Sequence, residues 1–358
     1  MPCWTPPPIE AAGAGRAVQP VKILIVKLSS LGDVVHAMPA LQDIRRAYPE
    51  AQIDWVVERG FAPLVQRCDG VQRVITCELR RWRKSPLSAP TRQAWRAFKI
   101  ELQRESYDAV IDLQGLSKSA LIGWLARLTP AGKRYGLAHA TEGSSFEAPA
   151  RWVADVALTL PMHTHAVARS RQVCAQALGY ALPSTLTYGL LARTKQTPLA
   201  LNSPGVGVSP KGVVALVHGT SRANKQWSLA SWQDLGQRLN DSGYAVALPH
   251  GSHEEQQFAQ AIAAGLRQVV VWPRLGLDAL TDALAACAGV VGVDSGLSHI
   301  AVALDLPHVQ LYNFDTAWRT GPEPTPGTHQ CSVFAQPTPL VNAVWQAWQA
   351  VIYATPTE

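Results

Sequence analysis

The stretch "VKILIVKLSSLGDVVH" at residues 21–36 joins an apolar run to a helix-forming segment through two serines, a glycine and an aspartate. A short apolar run rich in β-branched residues indicates a buried strand. The polar residues that follow then lie at the carboxyl end of that strand, the side on which open α/β sheets bind their ligands. The stretch therefore predicts a strand–turn–helix unit that presents Asp33 to a ligand.

The same alternation continues through both halves of the chain. Strands are predicted at 21–28, 52–58, 71–77 and 107–114 in the first half, and at 213–219, 244–251, 268–273, 289–295 and 308–313 in the second. Helices are predicted near 33–47, 91–106 and 117–128, and from near Ser228, Ser252, Leu277 and Leu297 onward. Because continuous apolar strands that alternate with helices indicate parallel sheets covered on both faces, we predict an α/β protein. It would consist of two doubly wound, Rossmann-like domains that face each other across a cleft.

A length of 358 residues suits two domains. Residues 1–20 are rich in Pro, Ala and Gly and are expected to form a disordered leader. The first domain is predicted at 21–193, a polar linker rich in Pro and Gly at 194–212, and the second domain at 213–338. A last helix at 339–354 carries an apolar stripe of Leu340, Val344, Trp348 and Val351, and it is expected to cross back onto the first domain.

Composition places the chain among ordinary globular proteins, with 47% hydrophobic and 16% charged residues. No apolar run approaches the roughly 18 residues that a membrane-spanning helix needs. The six cysteines are scattered without a C-x-x-C pair, which favours reduced thiols and a cytoplasmic location. A net charge of +6 is too small to select nucleic acid or membrane as a partner.

The first domain offers a base and a group of cations. Asp33 could be a simple helix N-cap, but the preceding serines and glycine favour a ligand site, where a carboxylate can act as a general base. The segment "LRRWRK" could be a solvated surface, although closely spaced cations favour an acidic small molecule or a lipid head group. No nucleic-acid-binding module accompanies it, so nucleic acid is not an expected partner. The turn "DLQGLSKSA" adds Gln114 and Lys118 at the mouth of the same sheet.

The second domain offers a diphosphate site. In "LVHGTSRANKQW" the residues Thr220, Ser221 and Lys225 surround a turn between a strand and a helix, as suits phosphate oxygens, although the sequence is not a P-loop. In "GVVGVDSGLSH" a second turn carries Asp294, for which a helix cap is the alternative interpretation. Glu254 opens a neighbouring helix, where a carboxylate can hold a ribose. Departure of a diphosphate from a sugar, with an incoming hydroxyl activated by Asp33, is glycosyl transfer from a nucleotide sugar.

At these motifs the sequence resembles the bacterial heptosyltransferases of glycosyltransferase family 9. The resemblance runs from about 21 to 354 and is carried by "ILIVKLSSLGDVVHAMPAL", "DWVVERGFA", "RRWRK", "YDAVIDLQGLSKSA", "HAVARSR", "HGTSRANKQW" and "VDSGLSH". The forms "RRWRK" and "DLQGLSKSA" favour the members that add the first heptose to Kdo on lipid A over those that extend the core.

The resemblance implies a GT-B fold and metal-independent, inverting transfer from ADP-L-glycero-D-manno-heptose to Kdo-lipid A, with no cofactor. It implies that Asp33 deprotonates the Kdo hydroxyl and that Lys225 stabilises departing ADP. For the donor it also implies Thr220 and Ser221 at the diphosphate, Glu254 at the ribose, Leu275 at adenine, Asp294 at the heptose, and Ser295, Gly296 and His299 at phosphate and sugar. For the acceptor it implies that Arg80, Arg81, Arg83, Lys84 and Lys118 meet the Kdo carboxylates and the lipid A phosphates. Ser30, Gly32 and Gln114, beside Asp33 and at the mouth of the same sheet, are further candidates for acceptor binding.

The expected enzyme is a monomer on the anionic cytoplasmic face of the inner membrane, helped there by an exposed Trp82 or Trp95. The alternatives are a heptosyltransferase that adds the second heptose, another family 9 enzyme with a different ADP-sugar, and a non-catalytic nucleotide-sugar-binding or lipid-binding protein. A dehydrogenase is disfavoured because the first turn lacks G-x-G-x-x-G.

Overall fold

The computed structural model describes residues 20–193, 211–220, 222–323 and 329–353. The chain divides into two compact units, Met1–Gly189 and Leu190–Glu358. This boundary precedes the predicted end of the first domain, and the backbone N–H of Arg193 donates a hydrogen bond to Asp282 of the second unit at 2.9 Å. The predicted leader, apart from its last residue, and residues 194–210 of the predicted linker lie outside the described residues.

The first unit is a parallel six-stranded sheet with helices between its strands. Its elements are β1 (Lys22–Val26), α1 (Leu31–Ala47), β2 (Gln52–Glu58), α2 (Ala62–Val65), β3 (Val71–Cys77), α3 (Leu79–Trp82), α4 (Ala89–Leu102), β4 (Ser106–Asp112), α5 (Ser117–Leu125), β5 (Arg127–Leu137), α6 (Ala148–Val153), β6 (Val156–Leu158) and α7 (Ala166–Leu178), with a 3₁₀ turn at Arg59–Phe61. The strand order β3-β2-β1-β4-β5-β6 is that of a doubly wound sheet. The four predicted strands are confirmed within two residues at each end, whereas β5 and β6 were not predicted.

The second unit repeats this topology. Its elements are β7 (Val213–Val217), α8 (Leu229–Asp241), β8 (Ala245–Leu248), α9 (His253–Ala263), β9 (Val269–Val271), α10 (Leu277–Ala285), β10 (Gly289–Val293), α11 (Gly296–Ala303), β11 (His308–Tyr312), α12 (Ala317–Thr320), β12 (Gln330–Phe334) and α13 (Val341–Tyr353), with a 3₁₀ turn at Ala223–Lys225. The order β12-β11-β10-β7-β8-β9 again reverses direction at the first strand of the unit. The five predicted strands are confirmed with shorter bounds, and β12 was not predicted.

Central strands of both sheets are buried along their length, as their continuous apolar sequences predicted. In the first unit, Ile25 of β1 pairs in register with Trp55 of β2 and with Ile111 of β4. All three side chains are fully buried. The carboxyl ends of β1 and β4 therefore lie side by side, and so do the two polar turns that follow them.

Helix α13 packs in the core of the second unit. Val344, Trp348 and Val351 are buried among the side chains of that core, whereas Leu340 precedes the helix and is 74% exposed. Its apolar face is buried in the second core, and the crossing of this helix back onto the first domain stays a prediction.

Trp82 is buried in the core of the first unit and is not the exposed tryptophan that we expected. Its ring meets that of Trp95 edge to face, with centroids 5.5 Å apart, and Phe98 lies at 5.6 Å. Trp95 is half-buried. The short helix α3 thus turns its tryptophan inwards and its arginines outwards.

Candidate functional site

Asp33 is the third residue of α1, and Ser30, rather than Asp33, is the N-cap of that helix. One oxygen of Asp33, Oδ2, accepts hydrogen bonds from the backbone N–H of Ser30 at 2.9 Å and from its hydroxyl at 2.8 Å. The Asp33 side chain nevertheless remains 36% exposed. Ser30 is exposed and Gly32 is half-buried beside it. The carboxylate therefore stabilises the helix start and still reaches the ligand side of the sheet.

Two cations that sequence reasoning missed accompany Asp33. The ammonium of Lys27 lies 3.8 Å from the other carboxylate oxygen, Oδ1, and donates to the carbonyl of Leu113 at 2.8 Å. Arg169, on α7, donates to the hydroxyl of Thr141 at 3.1 Å. Asp33, Lys27 and Arg169 line one polar cavity of about 90 Å³, together with the loop 143–145.

These neighbours decide the ionisation of Asp33. Burial raises the pKa of its carboxyl, but the charge of Lys27, the hydrogen bonds from Ser30 and the charge of Arg169 together hold that pKa below its usual value. Burial also lowers the pKa of Lys27, with Asp33 opposing the shift. Asp33 is thus ionised at neutral pH and is able to accept a proton.

Gln114 and Lys118 brace the loop between β1 and α1. The side-chain oxygen of Gln114 accepts hydrogen bonds from the backbone N–H groups of Leu28 and Ser29, each at 3.1 Å. Lys118 donates to the hydroxyl of Ser29 at 3.2 Å. Gln114 also lines the Asp33 cavity. The structure thus places Gln114 beside the Asp33 cavity and Lys118 at the loop that leads to Asp33, and it gives Gln114 a positioning role.

The cationic segment Arg80–Lys84 runs along and beyond α3. Glu58 lies near the start of that helix: burial raises the pKa of its carboxyl, and the backbone N–H groups of Leu79 and Arg80 together with the charge of Arg80 oppose that rise. Arg81 pairs with Glu78 at 3.1 Å, whereas Arg83 and Lys84 are exposed and pair with no acidic side chain in the described ranges. Among the described residues, the segment does not line the Asp33 cavity; Arg83 instead lines a second cavity together with Lys118.

In the second unit, the structure brings together three of the predicted donor residues. Lys225 closes the 3₁₀ turn that follows β7, and its ammonium pairs with the carboxylate of Asp294. His299, on the first turn of α11, places Nε2 3.4 Å from the other oxygen of Asp294. Burial raises the pKa of Asp294, but His299 and Lys225 outweigh it and hold the pKa well below the usual range. Asp294 is therefore a permanently charged acceptor.

The start of α11 completes this arrangement. Ser295 is its N-cap, and the buried Ser295 hydroxyl oxygen has no hydrogen-bond partner among the residues that the structure describes. Gly296 is the first helical residue, so its backbone N–H belongs to the group that a helix leaves without internal partners. A helix N-terminus of this kind binds anions. Thr220 follows β7 on the same edge, and Ser221 lies outside the described residues.

Glu254 and Leu275 follow β8 and β9. Glu254 is exposed on the first turn of α9, and Leu275 is half-buried before α10. The neighbouring Glu255 has the structural role, since it accepts from the backbone N–H of Gly251 at 2.7 Å. A Cβ at position 219 would come within 2.7 Å of an oxygen of the same Glu255 carboxylate.

Asn313 holds the lysine turn in place and was not predicted. Its side-chain amide donates to the carbonyls of Asn224 at 3.1 Å and of Gln226 at 3.2 Å, on either side of Lys225. The Thr338 hydroxyl donates to the Asn313 side-chain oxygen at 3.0 Å. The signal that could have found Asn313 is its place directly after β11, on the ligand edge of the sheet.

The pattern of glycosyltransferase family 9 (heptosyltransferase) matches residues 95–340. The chain is 41% identical to lipopolysaccharide heptosyltransferase 1 of Pseudomonas aeruginosa over 293 residues, which cover 82% of this chain and 78% of that protein. It is 38% identical to lipopolysaccharide heptosyltransferase 1 of Escherichia coli strain K12 over 296 residues, which cover 82% of this chain and 88% of that protein.

Solved structures agree. E. coli heptosyltransferase WaaC with ADP matches with a TM-score of 0.79 and 34% identity, over 92% of this chain and 100% of that chain. The structure of WaaC with ADP-2-deoxy-2-fluoro heptose matches with a TM-score of 0.76 and 35% identity, over 92% of this chain and 99% of that chain. The predicted α/β class of the GT-B fold is confirmed, and so is the resemblance drawn from the motifs. The chain is a glycosyltransferase and belongs to glycosyltransferase family 9, the heptosyltransferases.

Proposed function

We propose that this enzyme transfers L-glycero-D-manno-heptose from ADP-heptose to the Kdo of Kdo-lipid A, with inversion at the anomeric carbon. The observation that carries the proposal is the grouping of Lys225, Asp294 and His299 at the N-terminus of α11. It combines a cation and free backbone N–H groups for a diphosphate with a charged acceptor for sugar hydroxyls. The solved structures of WaaC with ADP and with ADP-2-deoxy-2-fluoro heptose support this donor.

The proposed donor site uses the residues that follow β7, β8, β9 and β10. Lys225, Thr220, Ser221 and the backbone at Gly296 bind the diphosphate, with Ser295 supplying its unpartnered hydroxyl. Asp294 accepts hydrogen bonds from the heptose hydroxyls, with His299 beside it. Glu254 binds the ribose and Leu275 lies against adenine. As negative charge grows on the departing diphosphate, the Lys225 ammonium interacts more strongly with it and less strongly with Asp294.

The proposed reaction is one displacement. The acceptor hydroxyl oxygen forms a bond to the anomeric carbon while its proton passes to Asp33. The bond from that carbon to ADP breaks, and its electron pair leaves with the diphosphate, where Lys225 and the start of α11 stabilise it. Because an inverting displacement forms no glycosyl-enzyme intermediate, it needs no carboxylate nucleophile, and Asp33 can serve as its base.

The acceptor is proposed to bind the first unit. Lys27 and Arg169 face the cavity beside Asp33 and suit the Kdo carboxylate, while Ser30, Gly32 and Gln114 contact the sugar. Lys118 and the cationic segment Arg80–Lys84 suit the phosphates of lipid A. In the described ranges no helix is both long and apolar enough to cross a membrane. We propose peripheral binding to the anionic cytoplasmic face of the inner membrane, through these cations.

The first test combines the protein with ADP-heptose and Kdo-lipid A, and follows ADP release and the mass of the acceptor. We expect a gain of one heptose, also in the presence of a chelator. Turnover only with an acceptor that already carries heptose would move the assignment to the addition of the second heptose. Donor binding without turnover on either acceptor would favour a non-catalytic protein.

Asp33→Asn tests the base. Because the amide cannot take up the proton, we expect kcat to fall by about 10²–10⁴-fold while ADP affinity, measured by calorimetry, stays the same. Asp69→Asn is the matched control, since it removes an exposed carboxylate of the same unit that pairs with Arg45. Full activity of Asp33→Asn would contradict the assignment.

A further inference from the structure

A second cavity, of about 380 Å³, lies between α3, α4 and α5 of the first unit. It is four times larger than the cavity beside Asp33 and lies in the range of about 300–1,000 Å³ that is typical of ligand pockets. The displacement at Asp33 makes no use of its apolar interior, although Arg83 and Lys118 of its lining are proposed above to meet the phosphates of the acceptor.

The walls of this cavity are apolar. They include Trp82, Trp95, Leu79 and Leu121. Leu121 is 42% exposed although it is a large apolar side chain. Trp82 is buried, and its indole N–H has no hydrogen-bond partner in the part of the chain that the structure describes. The walls therefore suit an apolar ligand.

The remaining lining is cationic. Arg83, Arg92 and Lys118 also line this cavity. Arg83 and Arg92 are exposed, and Lys118 is half-buried. An apolar cavity that is flanked by three cations is complementary to an amphiphile with a hydrocarbon chain and an anionic head group. A purely polar ligand would leave the walls unused, and a purely apolar ligand would leave the cations unmatched.

We propose that this cavity binds one acyl chain of the lipid acceptor. The inference rests on the proposed function, because it assigns a part of the same acceptor to a site of its own. Lys118 connects the two sites, since its ammonium is 3.2 Å from the hydroxyl of Ser29 in the loop that leads to Asp33. The acyl chain enters between Trp95 and Leu121, and a phosphate of the same lipid meets Arg83, Arg92 and Lys118.

The test compares two acceptors, Kdo-lipid A and the same molecule with its acyl chains removed, at a fixed detergent concentration. Burial of each methylene contributes about fourfold in affinity, so the enzyme should show a lower KM for the acylated acceptor. Leu121→Gln should raise the ratio of the KM for acylated acceptor to that for deacylated acceptor by about tenfold. Trp124→Gln is the matched control, because Trp124 is 62% exposed on the same helix and does not line the cavity.

A direct contact measurement supplements the kinetics. A lipid phosphate with a bromine-labelled acyl chain should quench tryptophan fluorescence, and Trp95→Phe should remove part of that quenching. An unchanged KM ratio in Leu121→Gln, or equal ratios in Leu121→Gln and Trp124→Gln, would overturn the acyl site. Failure to transfer heptose to either acceptor would instead overturn the proposed function, so the two failures are distinguishable.

Discussion

At Asp33 the two carboxylate oxygens have different partners. Oδ2 accepts both hydrogen bonds from Ser30, while Oδ1 faces the ammonium of Lys27. Sequence reasoning identified Asp33 but missed Lys27 and Arg169. Lys27 follows an apolar run, so the sequence suggested only that it ends a strand. Arg169 lies in the segment "HAVARSR", which contributed to the family resemblance but suggested no role for the arginine itself. Arg171 of the same helix forms a buried ion pair with Asp43 of α1, at 2.6 Å, which helps to hold α7 beside α1.

Lys27→Gln should change the pH dependence of the reaction. Burial raises the pKa of Asp33, and Lys27 makes the largest contribution that lowers it. Without that charge the pKa of Asp33 rises, so less of the carboxylate is ionised at a given acidic pH. We therefore expect the acid limb of the kcat/KM profile to move to higher pH. Lys99→Gln, an exposed change on α4, should leave the limb in place. An unmoved limb in a folded Lys27→Gln protein would contradict this assignment.

The turns after the strands are positioned by neighbouring elements. Asn313, directly after β11, holds both carbonyls that flank Lys225. We expect Asn313→Ala to lower kcat by about tenfold, because Lys225 then loses its fixed position towards the leaving group. The thermal midpoint should change little, since Asn313 is only half-buried. Thr338→Val removes only the hydrogen bond that orients Asn313 and should have a smaller effect. A loss of stability without a loss of kcat would make Asn313 merely structural.

Buried central strands could be predicted from the sequence, and edge elements could not. Strand β5 reads "RLTPAGKRYGL", with a proline, two glycines and mostly partial exposure, so no apolar run marks it. Strand β6 has three residues. Because Trp82 lies among four cations in the sequence, we expected it to be exposed. The helix α3 is only one turn long, and Trp82 is its one buried residue, packed against Phe98 and Trp95. Such outcomes depend on tertiary packing, which periodicity does not report.

Across the whole molecule, each unit has its own hydrophobic core. Trp348 lies in the second core, where its ring packs edge to face against Tyr244 with centroids 5.8 Å apart. Trp348→Ala should destabilise this unit by about 3–5 kcal/mol. ADP at about 100 times its Kd should stabilise the same unit by about 2.7 kcal/mol.

Calorimetry should therefore show that ADP raises, and Trp348→Ala lowers, the same unfolding transition. Trp152→Ala, at a tryptophan that is 78% exposed in the first unit, should move that transition little. If ADP raised a transition that Trp348→Ala left unmoved, the donor site would not belong to the unit to which we assign it.

The cavity beside Asp33 has a consequence for how the enzyme recovers after each turnover. Once Asp33 has taken the proton, Lys27 and Arg169 face a neutral acid in a space of about 90 Å³. Both cations then favour loss of that proton, and the hydrogen bonds from Ser30 favour the anion as well. The protonated form should be short-lived, so the site discharges its proton to water without a second base. The groups that make Asp33 a weak base also restore it.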